Sequence, residues 1–170
     1  MGLNGHVSGI LINEIKPRKN SKLAFIGLGG IGQRHLRIFR DLYKDAEIYA
    51  IRVKGNSYEI DNNLELQKAN IYEKYHIHEL KDFQEVIDLK PNIAFVTNPT
   101  SFHIRSAKIM VENFIPCFME KPISNTNKGV NDLLKLSRIN STEVMVGFMM
   151  RFHPQAIKIK EFLNKGLAGR

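Results

Sequence analysis

The 170-residue sequence has few of the features that mark secreted or membrane-spanning proteins. Cys117 is its only cysteine, which excludes a disulfide framework within the chain and suits a reducing compartment. No run approaches the roughly 20 consecutive apolar residues that a transmembrane helix needs. Residues 1–20 have neither the basic start nor the long apolar core of a signal peptide. We therefore expect a cytoplasmic protein with no membrane partner, and a chain of this length can bury an ordinary core.

Acidic residues are in the minority, with 17 Asp and Glu against 25 Lys and Arg, and the formal net charge is +8. An excess of basic residues can indicate a nucleic-acid-binding protein. The basic residues, however, are spread along the chain among acidic ones, and neither an aromatic-flanked RNA motif nor a helix-turn-helix signature is present. We therefore favour a solvated surface that also attracts an anionic cofactor, and we expect no nucleic-acid partner.

A glycine-rich loop is the strongest local motif. The apolar run 23–26 leads into a GxGxxG pattern made by Gly27, Gly29 and Gly32, and an amphipathic stretch follows at helical spacing. A strand, a glycine loop and a helix in this order suit a dinucleotide pyrophosphate, because the loop turns tightly and the helix N-terminus offers unpaired N–H groups. A structural turn in some other α/β protein is the alternative. The loop residues expected to contact the cofactor are Gly27, Leu28, Gly29, Gly30, Ile31 and Gly32.

Predicted strands and helices alternate through the rest of the chain, which is typical of a parallel sheet covered by helices. We predict an α/β fold with a doubly wound, mostly parallel Rossmann sheet and helices on both faces. The predicted strands are 22–26, 47–53, 76–78, 93–96, 115–119 and 143–148. The predicted helices are 31–43, 83–89 with Asp82 as its cap, 101–113, a helix from a Ser124 cap to residue 138, and 155–163. Residues 58–75 are ambiguous and are expected to be helical in part.

Three further motifs follow predicted strands directly, at the sheet edge where parallel sheets bind their ligands. They are Thr97-Asn98-Pro99, Glu120-Lys121-Pro122 and Arg151-Phe152-His153-Pro154. Together with the glycine loop, this set resembles the Gfo/Idh/MocA family of NAD(P)-dependent oxidoreductases from residue 22 to residue 170. The resemblance implies a dinucleotide-binding domain over 21–150. An extension, 1–20, would precede it, and the start of a truncated C-terminal substrate domain, 151–170, would follow it.

The resemblance also implies roles for residues of these motifs. Thr97, Asn98, Pro99, Glu120 and Lys121 would line the dinucleotide. Lys121 would also be catalytic, because an ammonium group at a strand end can polarise a substrate oxygen and assist proton transfer. A surface lysine paired with Glu120 is the alternative interpretation. Arg151 and His153 would contact a sugar-like substrate, and a structural salt bridge is the alternative for Arg151.

The segment after the second strand lacks the acidic residue with which NAD-preferring family members bind the ribose hydroxyls. Arg52, Lys54 and Ser57 stand there instead. Two basic side chains and a hydroxyl suit the 2′-phosphate of NADP, so we expect NADP to be preferred over NAD.

The histidines outside these motifs are expected to be structural. His35, early in the first helix, and His103, at the start of a later helix, are predicted to pack or cap. His76 and His78 have no nearby cysteine or acidic cluster, so no metal site is predicted.

Family members are much longer than this chain. Their C-terminal domain supplies substrate contacts and an Asp/His pair that works with the lysine of Glu-Lys-Pro. The implied reaction is hydride transfer between a nicotinamide cofactor and a sugar or sugar-derived alcohol or ketone. For this stretch alone we expect cofactor binding without turnover, and the resemblance allows an oligomer of the full-length form. The alternative function is a non-catalytic dinucleotide-binding or sensing module.

Overall fold

The computed structural model describes residues 20–52, 58–61 and 63–167. The predictions for Val53, Lys54 and Ser57, and for most of the extension 1–20, lie outside these residues. Within them the strands are β1 (Lys22–Ile26), β2 (Glu47–Ile51), β3 (Tyr58–Ile60), β4 (Leu66–Lys68), β5 (Ile77–Leu80), β6 (Ile93–Val96), β7 (Cys117–Met119) and β8 (Val144–Val146). The α-helices are α1 (Gly30–Leu42), α2 (Ile71–Lys74), α3 (Phe83–Leu89), α4 (His103–Glu112), α5 (Val130–Ile139) and α6 (Pro154–Asn164).

A six-stranded sheet in the order β5-β2-β1-β6-β7-β8 forms the centre of the described fold. Each neighbouring pair in it is parallel, and β1 pairs with β2 on one side and with β6 on the other. The strand order therefore reverses between β1 and β6. In open parallel sheets the loops at such a reversal diverge to opposite faces and leave a crevice at the carboxyl ends of the strands.

Two apolar clusters cover the two faces of the sheet, as the alternation of side chains along β1 requires. Leu23 and Phe25 belong to one cluster, with residues from α1 and α2. Ala24 and Ile26 belong to the other, with residues from α3, α4 and α5. The predicted doubly wound arrangement, with helices on both faces, is confirmed. Cys117 lies in the second cluster, where burial raises the pKa of its thiol to about 12.

Residues 58–75 are helical in part, as predicted, but they also contain a hairpin that was not predicted. The helical part is the short α2, and β3 and β4 form an antiparallel hairpin. The hairpin is held by α1: the Gln33 side-chain oxygen accepts from the Ile60 N–H at 2.7 Å, and Arg37 donates to the Ile60 carbonyl at 2.7 Å. These partners lie more than 20 residues away in sequence, so local propensity does not reveal them.

The helix predicted from a Ser124 cap begins later than expected. α5 starts at Val130, after Gly129, whose φ of +82° is a left-handed conformation that suits glycine. The Ser124 hydroxyl instead accepts from the Thr126 N–H in a local turn. The Asp82 cap on α3 is confirmed, because its side chain accepts from the Glu85 N–H. No helix in the described residues is long and apolar enough to cross a membrane.

Candidate functional site

The loops after β1 and β6 meet at the reversal of the strand order. The Thr97 hydroxyl donates to the Gly27 carbonyl at 2.6 Å and ties the two loops together. Gly27 has a φ of +97°, and a Cβ added there would lie 2.7 Å from the Asn98 Cα. Only glycine allows both this backbone conformation and this close approach. The first glycine of the pattern was predicted to allow a tight turn. The structure adds a second reason for glycine there, which is the close approach of the loop after β6.

The other two glycines of the pattern have different surroundings. A Cβ on Gly32 would lie 2.8 Å from both the Gly27 carbonyl oxygen and the Thr97 hydroxyl, so this glycine allows close packing of the helix. A Cβ on Gly29 would meet no described atom within 4 Å. The space beside Gly29 is open on the side where a ligand would approach the loop.

The N-terminus of α1 points its free N–H groups into this region. α1 begins at Gly30, with Gly29 as an N-cap that offers no side-chain hydrogen bond, and its first turn contains no acidic residue. The first N–H groups of a helix lack partners within the helix, and the helix dipole makes this end positive. Such an end binds phosphate groups well.

A cavity of about 680 Å³ lies beside the loops that follow β1, β2 and β6. Of the described residues that line it, none carries a carboxylate, and two carry guanidinium groups, Arg52 and Arg105. Arg52 Nη1 and Asn98 Oδ1 are buried and have no hydrogen-bond partner in the described part of the chain. A phosphate and a hydroxyl or amide group of a bound dinucleotide would satisfy these atoms, so the donor set fits such a cofactor. The lining residues are Ile26, Gly27, Leu28, Gly29, Ile51, Arg52, Phe83, Thr97, Asn98, Pro99, Phe102, Arg105 and Ser106.

Seven of the sequence-predicted cofactor residues therefore share one cavity: Gly27, Leu28, Gly29, Arg52, Thr97, Asn98 and Pro99. Gly30, Ile31 and Gly32 form the first turn of α1 beside it. Sequence reasoning missed Phe83, Phe102 and Arg105. Their position in the sequence was the available signal: each lies just before a helix that follows β5 or β6, or in the first turn of that helix, at the same edge of the sheet.

Glu120 and Lys121 follow β7, next to β6, and do not line this cavity. The buried Glu120 carboxylate contacts the His35 ring at 2.7 Å through one oxygen and accepts from the Lys121 N–H at 3.0 Å through the other. The side chain of Lys121 is exposed and makes no ion pair with Glu120 or any other described carboxylate. The alternative of a Glu120–Lys121 surface pair therefore does not describe this structure.

Two histidines contact the Lys121 region from opposite faces of the sheet. His35 packs edge-on against Phe118, as predicted for a packing residue, and its contact with Glu120 was not predicted. His103 is 2% exposed, with Nδ1 at 2.9 Å from the Pro122 carbonyl and Nε2 at 2.8 Å from the Asn98 carbonyl. The prediction that it packs or caps is correct but incomplete, because its partners lie in two separate loops.

Arg151 and His153 lie away from the glycine loop. Arg151 is exposed in the 3₁₀ turn Met149–Phe152 and lines a separate cavity of about 570 Å³ beside β8. It forms no ion pair in the described residues, so the structural salt bridge considered for it is not found there. His153 caps α6 by accepting from the Gln155 N–H. Within the described residues, no group of three or more His, Cys, Asp or Glu side chains could hold a metal ion.

The crevice, the three glycines and the helix N-terminus together define a dinucleotide-binding domain of the Rossmann class. Comparison with known proteins then shows the family to which this domain belongs. The chain belongs to the Gfo/Idh/MocA oxidoreductase family, whose model, described as an NAD-binding Rossmann fold, matches residues 21–148.

Curated relatives of the chain include inositol dehydrogenases. Inositol 2-dehydrogenase of Paracoccus denitrificans is 24% identical over 145 residues, covering 82% of this chain and 40% of that protein. Inositol 2-dehydrogenase/D-chiro-inositol 3-dehydrogenase of Shouchella clausii is 25% identical over 149 residues, covering 87% and 41%. The chain therefore spans about two fifths of the length of these relatives.

Solved structures share the fold. The dehydrogenase MviM of Clostridium difficile superposes with a TM-score of 0.67 at 26% identity, over 84% of this chain and 44% of that one. The scyllo-inositol dehydrogenase of Lactobacillus casei, solved with NAD(H) and scyllo-inositol, superposes with a TM-score of 0.69 at 18% identity. That match covers 89% of this chain and 43% of the dehydrogenase.

Proposed function

We propose that this chain is the cofactor-binding part of an NAD(P)-dependent oxidoreductase that acts on a sugar-like alcohol or ketone. The observation that carries the proposal is the cavity at the reversal of the strand order, where the glycine loop, the start of α1 and two arginines meet without a carboxylate. The family supports the reaction class, and the relatives named as inositol dehydrogenases support a polyhydroxylated substrate.

The chain's own residues would bind the cofactor in two ways. The N–H groups at the start of α1 and the open side of Gly29 would hold the pyrophosphate. The loop containing Thr97, Asn98 and Pro99 would hold the neighbouring sugar, because it shares the cavity with the glycine loop. A bound nicotinamide cofactor supplies hydride-transfer chemistry, and the protein supplies orientation and charge.

Lys121 is proposed to hold or move a proton at the reacting substrate oxygen. Its exposed side chain lies at the carboxyl end of β7, and Glu120, its nearest carboxylate in sequence, is engaged with His35 and with the backbone. The ammonium group is therefore free of an ion pair in the described residues and available to a ligand. Arg151 and His153 are proposed as substrate contacts on the strength of the family resemblance.

We further propose that NADP binds more tightly than NAD. Arg52 at the end of β2 and Arg105 near the start of α4 both line the cavity, and Arg52 Nη1 has no described partner. Two guanidinium groups without a lining carboxylate favour the extra phosphate of NADP, since a guanidinium binds phosphate strongly.

Replacement of Arg52 tests this preference. We expect Arg52→Gln to weaken NADPH binding by roughly ten- to a hundredfold and to change NADH binding little, because a charge-assisted hydrogen bond contributes about 1.5–3 kcal/mol. Fluorescence titration of both cofactors measures the ratio of the two dissociation constants. Arg138→Gln, at an exposed position in the last turn of α5, is the matched control. Tighter binding of NADH than of NADPH by the unmodified protein would contradict the proposed preference.

A further inference from the structure

His103 connects two loops that carry different parts of the proposed function. It is the first residue of α4 and is 2% exposed. One ring nitrogen, Nε2, lies 2.8 Å from the carbonyl oxygen of Asn98, in the loop after β6. The other, Nδ1, lies 2.9 Å from the carbonyl oxygen of Pro122, in the loop after β7. A single buried ring therefore bridges the backbones of two neighbouring loops.

The chemistry of these contacts makes the bridge specific to histidine. Carbonyl oxygens only accept hydrogen bonds, so a ring N–H must be the donor, and which nitrogen donates depends on the tautomer. The two ring nitrogens of an imidazole point in fixed, divergent directions. The two donors of an asparagine or glutamine amide share one nitrogen and do not span the same distance.

The two bridged loops hold the cofactor cavity and the lysine. Asn98 lines the cavity, and its backbone lies against Gly27. Pro122 immediately follows Lys121, whose long side chain is exposed and makes no ion pair in the described residues. The backbone at Lys121 therefore sets the point from which the lysine side chain extends. From the other face of the sheet, the Glu120 carboxylate accepts from the Lys121 N–H and contacts the His35 ring.

We propose that His103 is a positioning residue, which couples the cofactor loop at Asn98 to the backbone of Lys121 and so holds the lysine amine against the bound cofactor. This inference rests on the proposed function, because it requires that the cavity binds a nicotinamide dinucleotide and that Lys121 lies near it. His103 itself touches neither cofactor nor substrate in this account. It acts through the two carbonyl groups.

The test is the NMR signal of Lys121 in the whole chain. Reductive ¹³C-methylation labels the lysine amines, and Lys121→Arg identifies the signal of interest. Addition of saturating NADPH is expected to shift that signal in the unmodified protein and in His78→Gln, a control at an exposed histidine on β5. In His103→Gln the shift is expected to fall at least twofold, while NADPH still binds. A purely structural role for His103 would not change the shift in protein that is folded and saturated.

Three results would overturn the proposal, and they are distinguishable. An equal Lys121 shift in His103→Gln and the unmodified protein would remove the coupling role of His103 while leaving the proposed function intact. A Lys121 signal that does not move when NADPH binds would remove Lys121 from the cofactor site. A failure of the unmodified protein to bind NADPH would contradict the proposed function itself.

A second measurement uses only the unmodified protein, so it does not require that any variant folds. In the unmodified protein, a ring N–H signal of His103 is expected to exchange slowly with solvent, since the ring is 2% exposed and lies within hydrogen-bond distance of two carbonyl oxygens. It is expected to shift when NADPH is added, because Asn98 lies in the cavity wall. Rapidly exchanging or unperturbed ring signals would contradict the bridge.

Discussion

At the scale of single residues, three glycines in one motif serve three different purposes. Gly27 allows a left-handed backbone against the Asn98 backbone, and Gly32 allows α1 to approach the Gly27 carbonyl. Gly29 has a φ of −71° and a ψ of −171°, an extended conformation open to any residue, and its Cβ would meet no described atom within 4 Å. The fold explains the first two glycines, and the proposed cofactor, lying close to the backbone, would explain the third.

Gly32→Ala is therefore expected to destabilise the fold. The new Cβ would lie 2.8 Å from a backbone carbonyl oxygen that cannot move independently of β1. Overpacking of this kind costs typically about 1–3 kcal/mol in the free energy of unfolding. Chemical denaturation measures the loss in the free energy of unfolding. Gly29→Ala is the matched control, and its denaturation midpoint should be close to that of the unmodified protein. Equal midpoints for Gly32→Ala and the unmodified protein would show that the loop and helix are not packed as described.

The site residues that could be predicted from the sequence are those marked by the residues next to them in the chain. Gly27, Gly29 and Gly32 are recognisable by spacing, and Glu120-Lys121-Pro122 by its place after a strand. The bridging roles of His35 and His103 were missed, because their partners lie 85 residues and 19 residues away. Arg105 was missed for a similar reason: only the sheet order brings the start of α4 beside the end of β2.

At the scale of elements, α1 supports both the cofactor site and the β3–β4 hairpin. Its first turn faces the cavity region, and Gln33, 2% exposed, bonds to the hairpin through both ends of its amide. Strands and long helices were predicted well, because hydrophobic periodicity marks them. The hairpin was not predicted, because its two strands have only three residues each. All three residues of β4 are exposed, so this strand shows no alternation of apolar and polar residues.

Gln33→Ala is expected to loosen the hairpin. It removes the acceptor of the Ile60 N–H, and a partly buried donor left unsatisfied costs about 1–3 kcal/mol. Hydrogen exchange at the Ile60 amide should become faster by an amount that corresponds to this lost free energy. The amides in β1 and β6 should keep their protection if the loss is local. Gln84→Ala on the exposed face of α3 is the matched control. Unchanged exchange at Ile60 would mean that the hairpin does not depend on α1.

At the scale of the whole molecule, the site is a consequence of strand order. The order β5-β2-β1-β6-β7-β8 places the carboxyl ends of β2, β1, β6 and β7 side by side. The glycine loop, Arg52, the Asn98 loop and Lys121 therefore come together at one edge although they span residues 27 to 121. The alternation of strands and helices was enough to predict this edge, and the family match over 21–148 agrees with it. Sequence pattern could not predict side-chain pairing across the edge.

The central claim is that the glycine loop binds a dinucleotide, and titration of NADPH into the unmodified protein and Gly29→Ala tests it most directly. The substitution places a methyl group where a pyrophosphate would contact the backbone, without a clash inside the protein. We predict saturable binding by the unmodified protein and binding weaker by roughly tenfold or more in Gly29→Ala, which corresponds to about 1.4 kcal/mol. The midpoint of unfolding should be the same for both proteins. Equal NADPH affinity of the two proteins, or no saturable binding by the unmodified one, would contradict the account.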